Sequence, residues 1–204
     1  MVKTFAKVAL SAAVASLSVT AFGQALEEVV VTAQKRTESL QDVPISVTAI
    51  SGEQIQDASI RSFTELGAYV PNFSVSENAV NSIITMRGIS IGANQSFEQS
   101  VGLFVDGVHY GRSRQTRLGL FDLEQVEVLR GPQGILFGKN TLAGAVNIRT
   151  AAPTVGEGLS GRVAASFESD NGEYFEGHIS GSLTDNFAVR LAVMDRTIDG
   201  YNKN

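Results

Sequence analysis

Several residue types that define common classes of functional site are missing or scarce in this sequence. It contains no cysteine and no tryptophan, and its two histidines, His109 and His178, lie far apart in the chain. The absence of thiols excludes a disulfide framework and a thiolate metal site. The histidines lack metal-ligand spacing, so no cofactor is expected. The net charge of −5 argues against a protein that mainly contacts nucleic-acid phosphates.

Motifs of the common enzyme classes are also missing. There is no G-x-S-x-G and no HExxH pattern. Glu124 and Glu127 are predicted to lie on opposite faces of one short segment, so they do not form an obvious acid–base pair. The glycine-rich stretch 131–144 suggests a phosphate-binding loop, but Gln133 and Asn140 stand where that pattern requires glycine and a hydroxyl residue. The sequence therefore does not predict an enzyme.

The N-terminus has the pattern of an export signal. Lys3 and Lys7 precede an uncharged, mostly apolar stretch from Val8 to Phe22, and small residues follow it. This predicts a cleaved signal peptide over residues 1–25. A transmembrane anchor is the alternative, but the stretch is shorter than the ~20 apolar residues of a spanning helix. We therefore expect an exported chain that can enter a membrane only with strands.

Residues 26–42 contain one short run of β-forming residues. Val29, Val30, Val31 and Thr32 lie between acidic and basic residues, which predicts an isolated strand. Near a free N-terminus such a strand has nothing local with which to pair. It either joins the sheet of the following domain as an edge or waits for the sheet edge of another protein, as in β-strand addition. The residues alone leave both possibilities open.

Residues 43–153 are predicted to form a compact α+β domain. Ile45–Ile50 alternates apolar and polar residues, as a half-buried strand does. Capping-box patterns at Ser51 and Ser62 predict two short helices, the second of which Pro71 ends. Asp106 and Gly107 form a hairpin-type turn signal. Further strands are predicted at Ile83–Met86, Val101–Val105, Val126–Leu129 and Ala145–Ile148. The expected fold is a small mixed sheet with short helices against it.

Residues 154–204 alternate apolar and polar side chains over three segments. The predicted strands are Arg162–Glu168, Tyr174–Leu183 and Phe187–Val193, joined by short turns. Strands of about ten residues can cross an outer membrane at a tilt. A soluble antiparallel meander is the alternative, although the export signal and the short turns favour the membrane. Three strands cannot close a barrel, so we expect either the front of a longer barrel protein or no membrane barrel.

Several of these segments resemble one family, the TonB-dependent outer-membrane receptors. The segment Glu27–Ala33 is similar to the TonB box, and Asp122–Gly134 is similar to the signature of the plug domain. One position departs mildly from the family pattern: Ile135 stands where the family often has threonine. The resemblance covers essentially the whole chain, and the matching segments also include Arg87–Ile89, Val105–Val108, Leu136–Asn140 and Ala143–Ile148.

The resemblance implies a domain order and a mechanism. Residues 1–25 would be the signal peptide, 26–42 the TonB box and linker, 43–153 the plug domain, and 154–204 the first strands of a truncated transmembrane β-barrel. In this family the barrel has 22 strands, lies in the outer membrane and binds its ligand from outside. TonB, driven by the inner-membrane energising complex, then pairs with the TonB box as an added strand. Outer-membrane lipid and a small-molecule ligand are the other expected partners.

The family's default ligand is a ferric siderophore, so the resemblance implies active iron uptake. Haem, cobalamin and oligosaccharides remain alternatives. A protein of a different class is also possible, namely a plug-only binding module in the periplasm that transports nothing.

The resemblance also assigns residues to roles. TonB is expected to bind Glu28, Val29, Val30, Val31, Thr32 and Ala33. Arg130 is expected to pair with a carboxylate, such as one on the barrel wall, rather than with ligand. The structural motif of the plug comprises Arg87, Gly88, Arg130, Gly131, Pro132, Gly134, Gly138, Gly144 and Asn147. The candidates for ligand contact, taken from the residues themselves, are Asn94, Gln95, Tyr110, Arg112 and Arg114. For the arginines a solvated loop is the preferred interpretation, and an electropositive patch for an anionic ligand is the alternative.

Overall fold

The computed structural model describes residues 29–32, 35–78, 81–91, 98–117, 119–168 and 172–198. The predicted signal peptide, residues 1–25, lies outside the described residues. So do Glu28 and Ala33 of the predicted TonB-binding segment, and Asn94 and Gln95 of the predicted ligand contacts.

Twelve strands and three short α-helices make up the described chain. The helices are α1 (Gly52–Asp57), α2 (Phe63–Leu66) and α3 (Gly134–Phe137), and a 3-10 helix covers Ser113–Arg117. The strands are β1 (Val30–Val31), β2 (Glu38–Ser39), β3 (Ser46–Ser51), β4 (Phe73–Glu77), β5 (Ser82–Met86), β6 (Val101–Val105), β7 (Val108–Tyr110), β8 (Leu123–Arg130), β9 (Gly144–Thr150), β10 (Ser160–Glu168), β11 (Gly172–Thr184) and β12 (Phe187–Thr197).

A five-stranded mixed sheet forms the centre of the first domain. Its strand order is β3-β8-β9-β6-β7. The β6–β9 pair is parallel, and the other three pairs are antiparallel. The turn at Asp106 and Gly107 joins β6 to β7, with Val105 opposite Val108. The prediction of an α+β domain with a small mixed sheet is confirmed.

Both faces of this sheet are covered. On one face Val126, Val128 and Val146 pack with buried residues of α1, α2 and the β4–β5 hairpin. On the other face Leu129 and Ala145 pack with Val31 of β1. Side chains alternate between the faces of a strand, which is why neighbouring residues of β8 and β9 belong to different apolar clusters. The sheet is therefore the middle layer of three.

Local capping chemistry fixes where the first two helices begin. Ser51 and Gln54 form a reciprocal capping box at α1, as predicted. At α2 the hydroxyl of Ser62 accepts from the Glu65 amide over 3.2 Å, but the Glu65 carboxylate accepts from Arg61 instead of closing the box. This helix ends at Leu66 with Gly67 as its C-cap. The prediction that Pro71 ends it was wrong, because the chain leaves the helix four residues earlier.

Strands β1 and β2 form a separate two-stranded antiparallel sheet. Val30 lies opposite Ser39, and Val31 lies opposite Glu38. The expectation that this strand has no local partner was wrong. Its partner consists of polar residues with little β-propensity, so residue type gives no sign of it.

The last three strands form an antiparallel meander in the order β10-β11-β12. All three were predicted, and each is longer than predicted. Their odd-numbered apolar side chains are exposed; the largest are Val163, Phe167, Phe175, Ile179, Leu183, Phe187, Val189, Leu191 and Val193. The opposite face lies on the first domain. Of the helices in the described part of the chain, none combines the length and hydropathy needed to cross a bilayer.

Candidate functional site

The hairpin β1–β2 lies on one face of the central sheet, and its buried anchor is Val31. This side chain is fully buried with Phe104, Leu129, Phe137 and Ala145. Val29 and Val30 are partly exposed, at 44% and 39% of their surface. Burying one valine favours docking by roughly 1.5–3 kcal/mol. The predicted TonB-binding segment is therefore docked on the sheet through Val31, whereas Val29 and Val30 keep exposed surface.

Two polar side chains of β8 hold the backbone of the docked strand. The Gln125 amide donates from Nε2 to the carbonyl of Val30 over 3.0 Å. The backbone N–H of Thr32 donates to Oε1 of Glu127 over 2.5 Å. These contacts join residues 95 positions apart in the sequence, so they define where the N-terminal segment sits on the domain.

Glu127 is a carboxylate with no exposed surface. Its Oε1 also accepts from the Thr32 hydroxyl over 3.0 Å, and its Oε2 accepts from Nδ2 of Asn147 over 3.0 Å. Among the described residues no cation forms an ion pair with it. A buried charge is tolerated only when hydrogen bonds replace its lost hydration. Thr32 supplies two of these bonds, so docking of the segment and burial of the carboxylate depend on each other.

An open cavity of about 390 Å³ lies beside this cluster. Thr32 and Asn147 form part of its wall, and Phe104 and Phe137 supply apolar surface. Its charged lining residues are Lys35, Arg36, Asp106 and Arg149. Three basic residues, one acidic residue and two aromatic rings therefore line the cavity next to the docked strand.

The predicted plug motif is brought together at the far end of the β8–β9 pair. Gly144 lies so close to its neighbours that an added Cβ would be 2.2 Å from Sδ of Met86 and 2.3 Å from the Leu129 carbonyl oxygen. Gly131 has φ +110° and lies beside the Arg87 guanidinium. Gly88 follows Arg87 in a tight turn, Pro132 leads into α3, Gly134 begins it, and Gly138 is its C-cap. Asn147 lies instead in the middle of the β8–β9 pair, opposite Glu127.

Arg130 does not contact a carboxylate in the described part of the chain. Its Nη1 donates to the carbonyl of Pro71 over 3.3 Å. Its Nε is buried and has no hydrogen-bond partner. Pairing with a carboxylate on the barrel wall remains a prediction.

The described ligand-contact candidates lie on and after β7. Tyr110 is half-buried against the apolar core. Arg112 and Arg114 are exposed, and the backbone N–H of Arg112 donates to Oε1 of Gln115 over 2.8 Å at the start of the 3-10 helix. Their neighbour Arg117 is held by the Ser82 hydroxyl over 3.1 Å. Two exposed cations therefore lie at the start of the 3-10 helix, and their role in ligand binding remains a prediction.

The polar face of the meander contacts the first domain through ionic and aromatic contacts. Asp122 accepts hydrogen bonds from Arg190 on both carboxylate oxygens, including bonds of 3.1 and 3.0 Å from Nε. Arg61 lies over the ring of Tyr174, 3.7 Å from its centroid, and donates to the Ser166 hydroxyl over 2.6 Å. The meander is thus attached to the domain by the side chains that alternate with its exposed apolar ones.

Sequence reasoning missed the roles of Gln125 and Glu127. Glu127 was considered only as half of an acid–base pair with Glu124. The signal that could have identified it is its position within the apolar stretch that contains Val126, Val128 and Leu129. In the described chain Glu124 is exposed and pairs with Arg149 over 2.8 Å. No group of acidic or histidine residues among the described positions is arranged to hold a metal ion.

Comparisons with known proteins agree on one family. The family model described as TonB-dependent Receptor Plug Domain matches residues 39–145. A pesticin receptor of Yersinia pestis is 31% identical over 173 residues, which are 83% of this chain and 25% of the relative. A vitamin B12 transporter of Vibrio vulnificus is 30% identical over 142 residues, 66% of this chain and 22% of the relative.

A solved structure is similar in fold as well as in sequence. The ferric yersiniabactin uptake receptor of Yersinia pestis superposes with a TM-score of 0.64 at 30% identity, over 72% of this chain and 24% of that one. The chain spans about a quarter of the length of these curated relatives.

Proposed function

Because the chain belongs to the TonB-dependent receptor family through its plug domain, we propose that it forms the N-terminal part of an outer-membrane receptor for active uptake. In this proposal residues 1–25 are a cleaved signal peptide, 26–42 the TonB box and linker, 43–153 the plug, and 154–204 the first barrel strands. The observation that carries it is the match of the plug-domain model over residues 39–145.

The proposed energy input is strand addition by TonB to the segment around Val29–Thr32. The segment is β-prone and already extended, with Val30–Val31 forming β1. Strand addition uses main-chain hydrogen bonds, so the backbone edge of the segment must be accessible to the partner strand. The identity of the side chains matters less. The segment is docked on the plug, so in this proposal it must leave that position before TonB can pair with it.

The proposed ligand is a ferric siderophore. The support comes from the relatives, which include a ferric yersiniabactin uptake receptor and a ferrioxamine B receptor of Salmonella typhimurium. The vitamin B12 transporter among the relatives keeps cobalamin as an alternative ligand. Arg112 and Arg114 are the described cations that we propose for attracting an anionic chelate.

The test is uptake of radioactive iron, supplied as a panel of ferric siderophores, by cells that carry or lack this gene. We expect uptake of at least one chelate that requires the gene, TonB and the proton-motive force. Val30→Pro removes a backbone donor of the strand and should abolish uptake, whereas Val30→Ala keeps the backbone and should retain most of it. Uptake that survives loss of TonB would contradict the proposal.

The intact mass of the native protein and its cell fraction separate transport from the plug-only alternative. A protein several times heavier than 21.7 kDa in the outer membrane agrees with a receptor. A soluble periplasmic protein of about the mass of this chain would mean that it is a binding module without transport.

A further inference from the structure

Strand β1 has two backbone edges, and its hairpin partner occupies one of them. The register of β1 with β2 places the backbone groups of Val29 and Val31 on the shared edge. The N–H of Leu40 donates to the Val29 carbonyl over 2.9 Å on this edge. Backbone groups of successive residues point to opposite edges, so those of Val30 and Thr32 point away from β2.

Side chains of β8 occupy the second edge. Gln125 supplies a donor for the Val30 carbonyl over 3.0 Å, and Glu127 supplies an acceptor for the Thr32 N–H over 2.5 Å. An added strand would present the same donor and acceptor from its own backbone N–H and carbonyl groups. The two side chains therefore imitate the edge of a neighbouring strand, and another strand cannot pair there while they are in place.

The two edges differ in how they can be opened. Opening the β2 edge breaks backbone pairing within a continuous hairpin, whereas opening the β8 edge separates the hairpin as a unit from side chains. Separation exposes Val31 and leaves Glu127 with fewer hydrogen bonds, retaining its bond from Asn147 Nδ2 over 3.0 Å. Water or a new strand must then satisfy the freed backbone groups.

We propose that Gln125 and Glu127 occlude the edge of β1 to which the partner strand adds, and so set how often that strand is available. The inference rests on the proposed function, because TonB is taken to supply the partner strand. It assigns the two residues a positioning role, since they act through the backbone of β1 and not through ligand.

The first experiment measures undocking of the strand without any partner. This chain has no cysteine, so Val31→Cys, in the full-length protein with any cysteine beyond this chain replaced by serine, provides a single buried thiol whose labelling rate reports separation of β1. In that background Gln125→Met together with Glu127→Met removes both edge contacts while keeping side-chain volume. We expect labelling to accelerate at least tenfold, because the Val30 carbonyl loses its bond from Gln125 and Thr32 loses both of its bonds to Glu127. The matched control is Glu124→Met on the same strand, which should leave the rate unchanged.

The single variant Gln125→Met covers the possibility that the double variant does not fold. It should accelerate labelling about threefold or more, with far-ultraviolet circular dichroism verifying the fold. A labelling rate equal to that of the control in both folded variants would overturn the inference.

The second experiment measures binding of the purified periplasmic domain of TonB to the same proteins with native Val31, in the absence of ligand. We expect the double variant to bind about tenfold more tightly than the native protein, because fewer molecules keep the edge occluded. Faster labelling without TonB binding to any variant would support occlusion of β1 and contradict only the proposed partner. Faster labelling with unchanged TonB affinity would overturn occlusion as the determinant of strand addition.

Discussion

The central sheet and the meander use the same alternation of side chains for opposite purposes. In β8 the alternating residues Val126 and Val128 are fully buried on one face, and Glu127 is fully buried on the other. In β12 the alternating residues Val189 and Leu191 are exposed, at 40% and 64%. A sheet with two covered faces must satisfy every polar group internally, whereas a bare apolar sheet face marks a surface that meets lipid or another protein.

The largest difference between the two regions is expected for added volume at a glycine. Gly144→Val places a side chain against Met86 and the Leu129 carbonyl and should destabilise the plug by about 4 kcal/mol or more, through overpacking. Gly158→Val, near the start of the meander, meets nothing within 4 Å and should change stability by less than about 0.5 kcal/mol. Urea unfolding of the protein in detergent measures both. Equal losses of unfolding free energy in the two variants would contradict the expectation that only Gly144 lacks room for a side chain.

Removal of apolar volume gives the next largest contrast. Leu129→Ala deletes a fully buried side chain and should cost about 3 kcal/mol in free energy of unfolding. Leu191→Ala deletes an exposed one on β12 and should cost under about 1 kcal/mol in the same assay. A cost at Leu191 as large as that at Leu129 would mean that the exposed face of β12 is packed against protein.

Local residue patterns made much of the fold predictable from the sequence. The strands at Val101–Val105 and Phe187–Val193 and the capping box at Ser51 each depend on residues within one short window. The partner of β1 was not predictable in this way, because Glu38 and Ser39 carry no strand signal.

The site was less predictable than the fold. The segment Val29–Thr32 could be identified from its β-forming residues, but its docking depends on Gln125 and Glu127, 95 positions away. Sequence patterns report side-chain burial and not which distant backbone groups a buried side chain binds. For the same reason the attachment of Asp122 to Arg190 could not be foreseen.

Breaking the ion pair between Asp122 of the plug and Arg190 of the meander should lower the free energy of unfolding by an intermediate amount. Arg190→Met removes the partner of Asp122 at a half-buried position where the remaining carboxylate is 14% exposed. Part of the lost attraction is replaced by water, so we expect a cost of about 1–2 kcal/mol. Limited proteolysis should show faster cleavage at the boundary near Pro153. Unchanged cleavage would show that the ion pair does not hold the meander to the plug.

The smallest effect is expected for the exposed ion pair between Glu124, near the start of β8, and Arg149, near the end of β9. Glu124→Gln removes the partner of Arg149, and both side chains are at least a third exposed. Solvent screens such pairs, so the free energy of unfolding should change by less than about 0.5 kcal/mol. Comparison with Glu127→Gln on the same strand in the same urea titration tests whether burial, and not charge alone, sets the effect.

The central claim is that the meander meets lipid on one face and the plug on the other. Spin labels on single cysteines along β12 test it in outer-membrane vesicles, with oxygen and a water-soluble nickel chelate as relaxing agents. We predict high oxygen accessibility at Val189, Leu191 and Val193, and low accessibility to both agents at Arg190 and Ala192. High accessibility of the odd-numbered positions to the nickel chelate would contradict the account, because it would place that face in water.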